Sequence, residues 1–132
     1  MIEHNHNKIR SAVFITFAGN CQKALSFYQD CFGGQLRLDT LKNEVAGFPG
    51  TPVVSGSLVS DTITIHGSDL VHNEGRKPGN HMAIFLHCKT AHERKKLIRK
   101  LADETNLPGN NDDDQVLIEL TDAFDVRWVL SI

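Results

Sequence analysis

The chain has 132 residues, 14 Lys and Arg against 16 Asp and Glu, and a formal charge of -2. Hydrophobic residues make up 40% and charged residues 23%, ordinary values for a soluble globule. The balance excludes the basic footprint of a nucleic-acid binder, and no apolar run approaches the ~20 residues that span a bilayer.

Residues 1–8 are polar, carry His4 and His6, and read as a flexible tail without an apolar signal-peptide core. A cytoplasmic protein is expected. Cys21, Cys31 and Cys88 form an odd, unclustered set with no Cys-x-x-Cys spacing, which argues against a disulfide framework or structural zinc. They read as small buried apolar side chains.

A strand is predicted from Ser11 to Phe17, where Val13, Phe14, Ile15 and Phe17 are apolar. Ala18-Gly19 breaks it, and Asn20 is the expected helix cap. Cys21, Ala24, Leu25, Tyr28, Cys31 and Phe32 recur at three- and four-residue steps, predicting a helix over 21–32. Gly33-Gly34 stops it. Residues 35–41 alternate as a half-buried strand. Residues 42–52 contain Gly47, Pro49 and Gly50 and form a loop, with Phe48 as its anchor or a lid residue.

Strands over 53–59 and 62–66 join across Ser60-Asp61, and residues 67–80 read as a linker. A strand is expected over 81–88. Thr90 and Glu93 then form a capping box for a helix running to about Glu104. Its apolar stripe is Leu97, Ile98 and Leu101, and its outer face holds Arg94, Lys95, Lys96, Arg99 and Lys100. The turn-rich acidic stretch 106–114 lacks the ligand spacing of a calcium loop. Strands over 116–121 and 126–130 finish the chain. One strand is short of a full repeat: at most a stub near Thr105 to Leu107.

Three stretches resemble PhnB-like proteins of the vicinal oxygen chelate superfamily, with glyoxalase I, bleomycin-resistance proteins and extradiol dioxygenases. They are Phe17-Ala-Gly-Asn-Cys-Gln-Lys-Ala-Leu-Ser-Phe-Tyr28 with Cys31-Phe-Gly-Gly34, then Ser57 to Asp69, and Asp122-Ala-Phe-Asp-Val-Arg-Trp128. The resemblance implies an α+β fold of two tandem βαβββ modules, curved mixed sheets enclosing a small-molecule pocket. Module one would cover about 11–69 and module two about 81–132, within one domain over 1–132. The second module's shortened or missing strand departs from that pattern. Asp125 stands where the family usually has Gly, in a turn that Asp tolerates. Trp128 is expected to pack under the second helix and to need a partner for its indole N–H.

Metal-dependent relatives take ligands from four strands. Carried onto this chain, those positions fall on Val13, on His66 with Thr64 as the other choice, on His81 and on Val129. Two valines have no lone pair to give, so no cofactor is expected. A divalent metal held by His66, His81 and Glu119 is the less favoured alternative. The favoured reading is a small-molecule-binding protein whose ligand contacts are Val13, Phe17, Ser55, His66, His81, Phe85 and Val129. The alternatives are a metal-dependent isomerase, lyase or dioxygenase, or a drug-sequestering protein. Whether a reaction is catalysed stays open. A homodimer is expected, mainly from the resemblance; nucleic acid and membrane are not expected partners.

Overall fold

The computed structural model describes residues 9–43, 50–70, 76–102 and 115–132. Phe48, the linker residues 71–75, the strand stub and the acidic stretch lie outside them. The chain divides into two compact units, 1–76 and 77–132.

In the first unit the order is β1 (Val13–Thr16), α1 (Cys21–Phe32), β2 (Gln35–Thr40), β3 (Val53–Val59) and β4 (Thr64–Ser68). The four strands form a mixed sheet in the order β1-β4-β3-β2, with β1 parallel to β4 and the other neighbours antiparallel. The fourth strand starts two residues later than expected and takes in Gly67 and Ser68, which the sequence pattern places in the linker. Parallel pairing with β1 supplies the backbone partners that carry the strand onward.

Helix α1 packs on β2, β3 and β4. The row Leu38–Gly56–Gly67–Ile15 lies beneath it. A Cβ added at Gly56 would stand 2.6 Å from a Leu25 methyl, and one at Gly67 would stand 3.1 Å from Cys21 Sγ. The two glycines therefore let the helix approach the sheet closely. The next row, Leu36–Leu58–Ile65–Val13, continues the same face.

Both ends of α1 have specific causes. Asn20 makes no side-chain cap hydrogen bond. The expected cap is replaced by Asp69, whose Oδ1 accepts from the backbone N–H of Gly19 at 2.7 Å and of Cys21 at 3.2 Å. A full carboxylate satisfies an orphan donor at the helix's positive end better than a neutral amide does. Asp69 Oδ2 accepts from the Val53 N–H at 2.9 Å, so one buried side chain joins the starts of α1 and β3 to the end of β4. At the other end Gly33 has φ +75 and its N–H donates to the Gln29 carbonyl at 2.7 Å.

In the second unit the order is β5 (Ile84–His87), α2 (Ala91–Leu101), β6 (Leu117–Thr121) and β7 (Arg127–Ser131). The sheet order is β5-β7-β6, with β5 parallel to β7. This matches β1-β4-β3 strand for strand, so the internal repeat is visible in topology. Thr90 Oγ1 accepts from the Glu93 N–H at 3.0 Å, one half of the expected capping box. Arg94 corrects the helix's expected outer face. It is 1% exposed, and its guanidinium donates to the Val116 carbonyl at 3.2 Å. Its spacing from Leu97, Ile98 and Leu101 puts it on their stripe, and a charged side chain there is tolerated because it ties α2 to the chain entering β6.

The turn between β6 and β7 is organised by Asp122, 2% exposed. Its Oδ1 accepts from the N–H of Phe124 at 2.8 Å and of Val126 at 3.1 Å, and its Oδ2 from the Trp128 indole at 2.8 Å. Asp125 adopts φ 64 there, the positive value expected of it.

Candidate functional site

Partners directly opposite each other in a sheet share a face. In the first unit the rows beneath α1 contain Val13 and Ile15. The face turned away from α1 carries the row Phe14–His66–Ser57–Arg37, one residue from each strand. Thr16 lies opposite Ser68, and Ser55 opposite Asp39, on the same face.

This register puts two of the expected ligand contacts on the helix side of the sheet. Val13 pairs with Ile65 on the helix side, and Phe17 is 1% exposed, beside Cys21 and Gly67 with the Arg76 guanidinium 5.4 Å from its ring centroid. The residue level with His66 on the first strand is Phe14, 56% exposed. A shift of one position exchanges the two faces of a strand. In Val13-Phe14-Ile15-Thr16-Phe17 the odd positions are all apolar and the even ones are Phe14 and Thr16, so each side carries an aromatic ring and alternation does not say which side meets a ligand. The signal that could have found Phe14 is its direct pairing with His66, which sequence alone does not display.

His66 is half-buried, and burial lowers its imidazole below the ordinary 6.5, favouring the neutral ring. A neutral ring has one donor and one acceptor nitrogen. Ser57, beside it, is 8% exposed. Neither the His66 ring nor the Ser57 hydroxyl has a hydrogen-bond partner among the described residues. Ser55 is exposed at the start of this face.

In the second unit the face away from the buried Trp128, Leu130 and Leu86 carries the row Phe85–Val129–Glu119. Phe85 is 60% exposed. His87 Nδ1 stands 2.8 Å from Ser131 Oγ on the same face. Arg127 donates to the Glu119 carboxylate in an ion pair and to the carbonyls of Asn80 and Met82. The Asn80–Met82 segment, with His81 at its centre, is thereby fastened to β7. His81 itself is exposed and precedes β5.

These residues do not fit the divalent metal that the resemblance allows. Val13 lies on the opposite sheet face from His66, Val129 offers no donor atom, and the Glu119 carboxylate is engaged by Arg127. Among the described residues no group of three His, Cys, Asp or Glu side chains could hold an ion. No described helix is long and apolar enough to cross a membrane.

Scans of the sequence against protein families and against curated proteins find no match. Solved structures do match. A protein from Pseudomonas aeruginosa superposes with TM-score 0.74 at 20% identity, over 94% of this chain and 97% of that one. A PhnB protein from Bacillus cereus gives 0.68 at 21% identity, over 93% and 98%. The chain has the glyoxalase-like fold. A member of the glyoxalase/bleomycin resistance/dioxygenase superfamily from Sphaerobacter thermophilus shares it at TM-score 0.55 and 20% identity, over 93% and 97%. Within this glyoxalase-like fold, each unit presents one strand-crossing row of unlike side chains on the sheet face away from its buried side.

Proposed function

We propose that this chain is a PhnB-like member of the vicinal oxygen chelate superfamily, built of tandem modules over about 11–69 and 81–132, that binds a small organic molecule without a metal. One observation carries the reading. Phe14, His66 and Ser57 stand in register across β1, β4 and β3 on the face that α1 does not cover. An exposed aromatic ring, a neutral imidazole and a nearly buried hydroxyl, the last two unpaired, are the mixture of apolar surface and a few placed polar groups that small-molecule sites use. No described side chain leaves a buried polar atom unsatisfied, so both groups are reached by solvent and are open to a ligand that pairs them.

Ser55 belongs to the same face. Phe85 and Val129 form the corresponding row of the second unit, and His81 is the contact that Arg127 fixes in place. The homodimer is part of this proposal and rests on the resemblance. The test is a fragment screen read by thermal shift on the full, tag-free chain, with metal analysis of the same sample. Fragments that stabilise wild type and lose their effect in His66→Ala and Ser57→Ala support the reading. Fragments that stabilise those variants equally, or a near-stoichiometric metal whose removal abolishes binding, overturn it.

A further inference from the structure

We propose that the row on the first sheet selects an arylalkanoate, a molecule with an aromatic ring at one end and a carboxylate at the other. This rests on the ligand-face reading above and narrows it to one chemical class.

The order of side chains along the row carries the inference. Reading across the strands it runs aromatic, neutral imidazole, hydroxyl, guanidinium: Phe14, His66, Ser57, Arg37. Adjacent strands are about 4.8 Å apart, so Ser57 is about 10 Å and Arg37 about 14 Å from Phe14 at the backbone. A ring settled over Phe14 and His66, which are direct neighbours, meets both aromatic side chains at its face or edge. Ser57, 8% exposed with its hydroxyl unpaired, can donate to a carboxylate oxygen arriving from that direction. Arg37 is exposed on the edge strand β2 and can swing its planar fork toward the second oxygen. The ring and the charge must then be separated by a flexible tether of about three methylenes, to cover the gap of more than one strand spacing.

One acidic group stands against this. Asp39 shares the face, two residues along β2, but it lies level with Ser55, one row away from Ser57. Its charge weakens an anion at Arg37 without occupying the row. The face therefore discriminates by length and sign together: a short acid leaves either the ring or the guanidinium unengaged, and a neutral isostere loses the charge-assisted hydrogen bond.

The experiment is a titration of the full chain with four probes: 4-phenylbutyrate, 4-phenylbutyramide, phenylacetate and hexanoate, followed by calorimetry or NMR. 4-Phenylbutyrate should bind best, with each other probe about fivefold weaker or worse, the scale of one partly exposed charge contact. Arg37→Gln should weaken 4-phenylbutyrate about fivefold and leave the amide unchanged, whereas Asp39→Asn should tighten the acid. Equal binding of acid and amide, unaffected by Arg37→Gln, overturns the arylalkanoate class and leaves the ligand face standing. Silence from all four probes, with other fragments still binding through His66, overturns the class alone. Silence from the probes and from the wider screen overturns both.

Discussion

The indole of Trp128 donates to Asp122 Oδ2 at 2.8 Å in a place where both residues are almost wholly hidden from solvent. The same carboxylate also takes two backbone N–H groups of the turn that leads back to Trp128. Asp122→Ala would strand three donors and should destabilise the protein by about 3–5 kcal/mol. Asp122→Asn keeps one acceptor and should cost about 1–3 kcal/mol, because its amide group would face the indole donor. Urea denaturation followed by Trp128 fluorescence measures both.

Asp69 performs the matching task in the first unit, and it replaces Asn20 as the cap of α1. Asn20→Ala should change stability by less than about 0.5 kcal/mol, well below the ~1 kcal/mol typical of a lost cap. Asp69→Ala should cost about 3 kcal/mol or more, since the N–H groups of Gly19, Cys21 and Val53 all lose their acceptor. The reverse ranking, by the same denaturation measurement, would return the cap to Asn20.

How much was legible in the sequence differs between elements for a physical reason. Helix α1 occupies the span its apolar spacing predicts, because one continuous stripe and a double glycine stop mark it unambiguously. The Thr90 cap is likewise local and readable. Asp69 acts on Cys21 across 48 positions, which no local pattern reports. Charge alone turns Arg94 outward, whereas its spacing puts it among Leu97, Ile98 and Leu101, and the structure buries it. The resemblance carries a ligand position onto Val13, and the pairing of Phe14 with His66 and of Val13 with Ile65, which puts Val13 on the helix side, is a long-range register that no local pattern displays. The sheet face of His66 is legible, because Ile63 and Ile65 alternate with Thr64 and His66 and the structure turns Ile65 and His66 to opposite faces.

The three thiols should differ sharply in reactivity. Burial, reinforced by the Asp69 carboxylate, pushes the Cys21 thiol from 9.0 up to about 12. Cys88 is raised as well, chiefly by burial, while Cys31 is only half-buried. A thiol reagent on native protein should label Cys31 first, with Cys21 reacting only on unfolding. The folded state holds Cys21 protonated between pH 9 and 12, where the unfolded state releases that proton. Stability present below pH 9 is therefore lost as pH rises, at about 1.4 kcal/mol per unit from this group. Cys21→Ala should show a correspondingly shallower alkaline decline.

The Arg127–Glu119 pair is partly exposed, so Glu119→Gln should cost no more than about 1 kcal/mol. Arg127→Met should cost more, because Arg127 also holds the carbonyls of Asn80 and Met82. Hydrogen exchange should rise at residues 80–83 in Arg127→Met and stay unchanged there in Glu119→Gln.

The most direct test is the NMR signal of the His66 ring, followed through a pH titration and then through addition of a bound fragment. The account predicts a midpoint below 6.5 in the free protein, and a shift of the His66 and Phe14 ring signals when the fragment is added, with Leu58 and Ile65 methyls little moved. A midpoint at or above 6.5, or fragment shifts confined to the Leu58 and Ile65 side of the sheet, would contradict it.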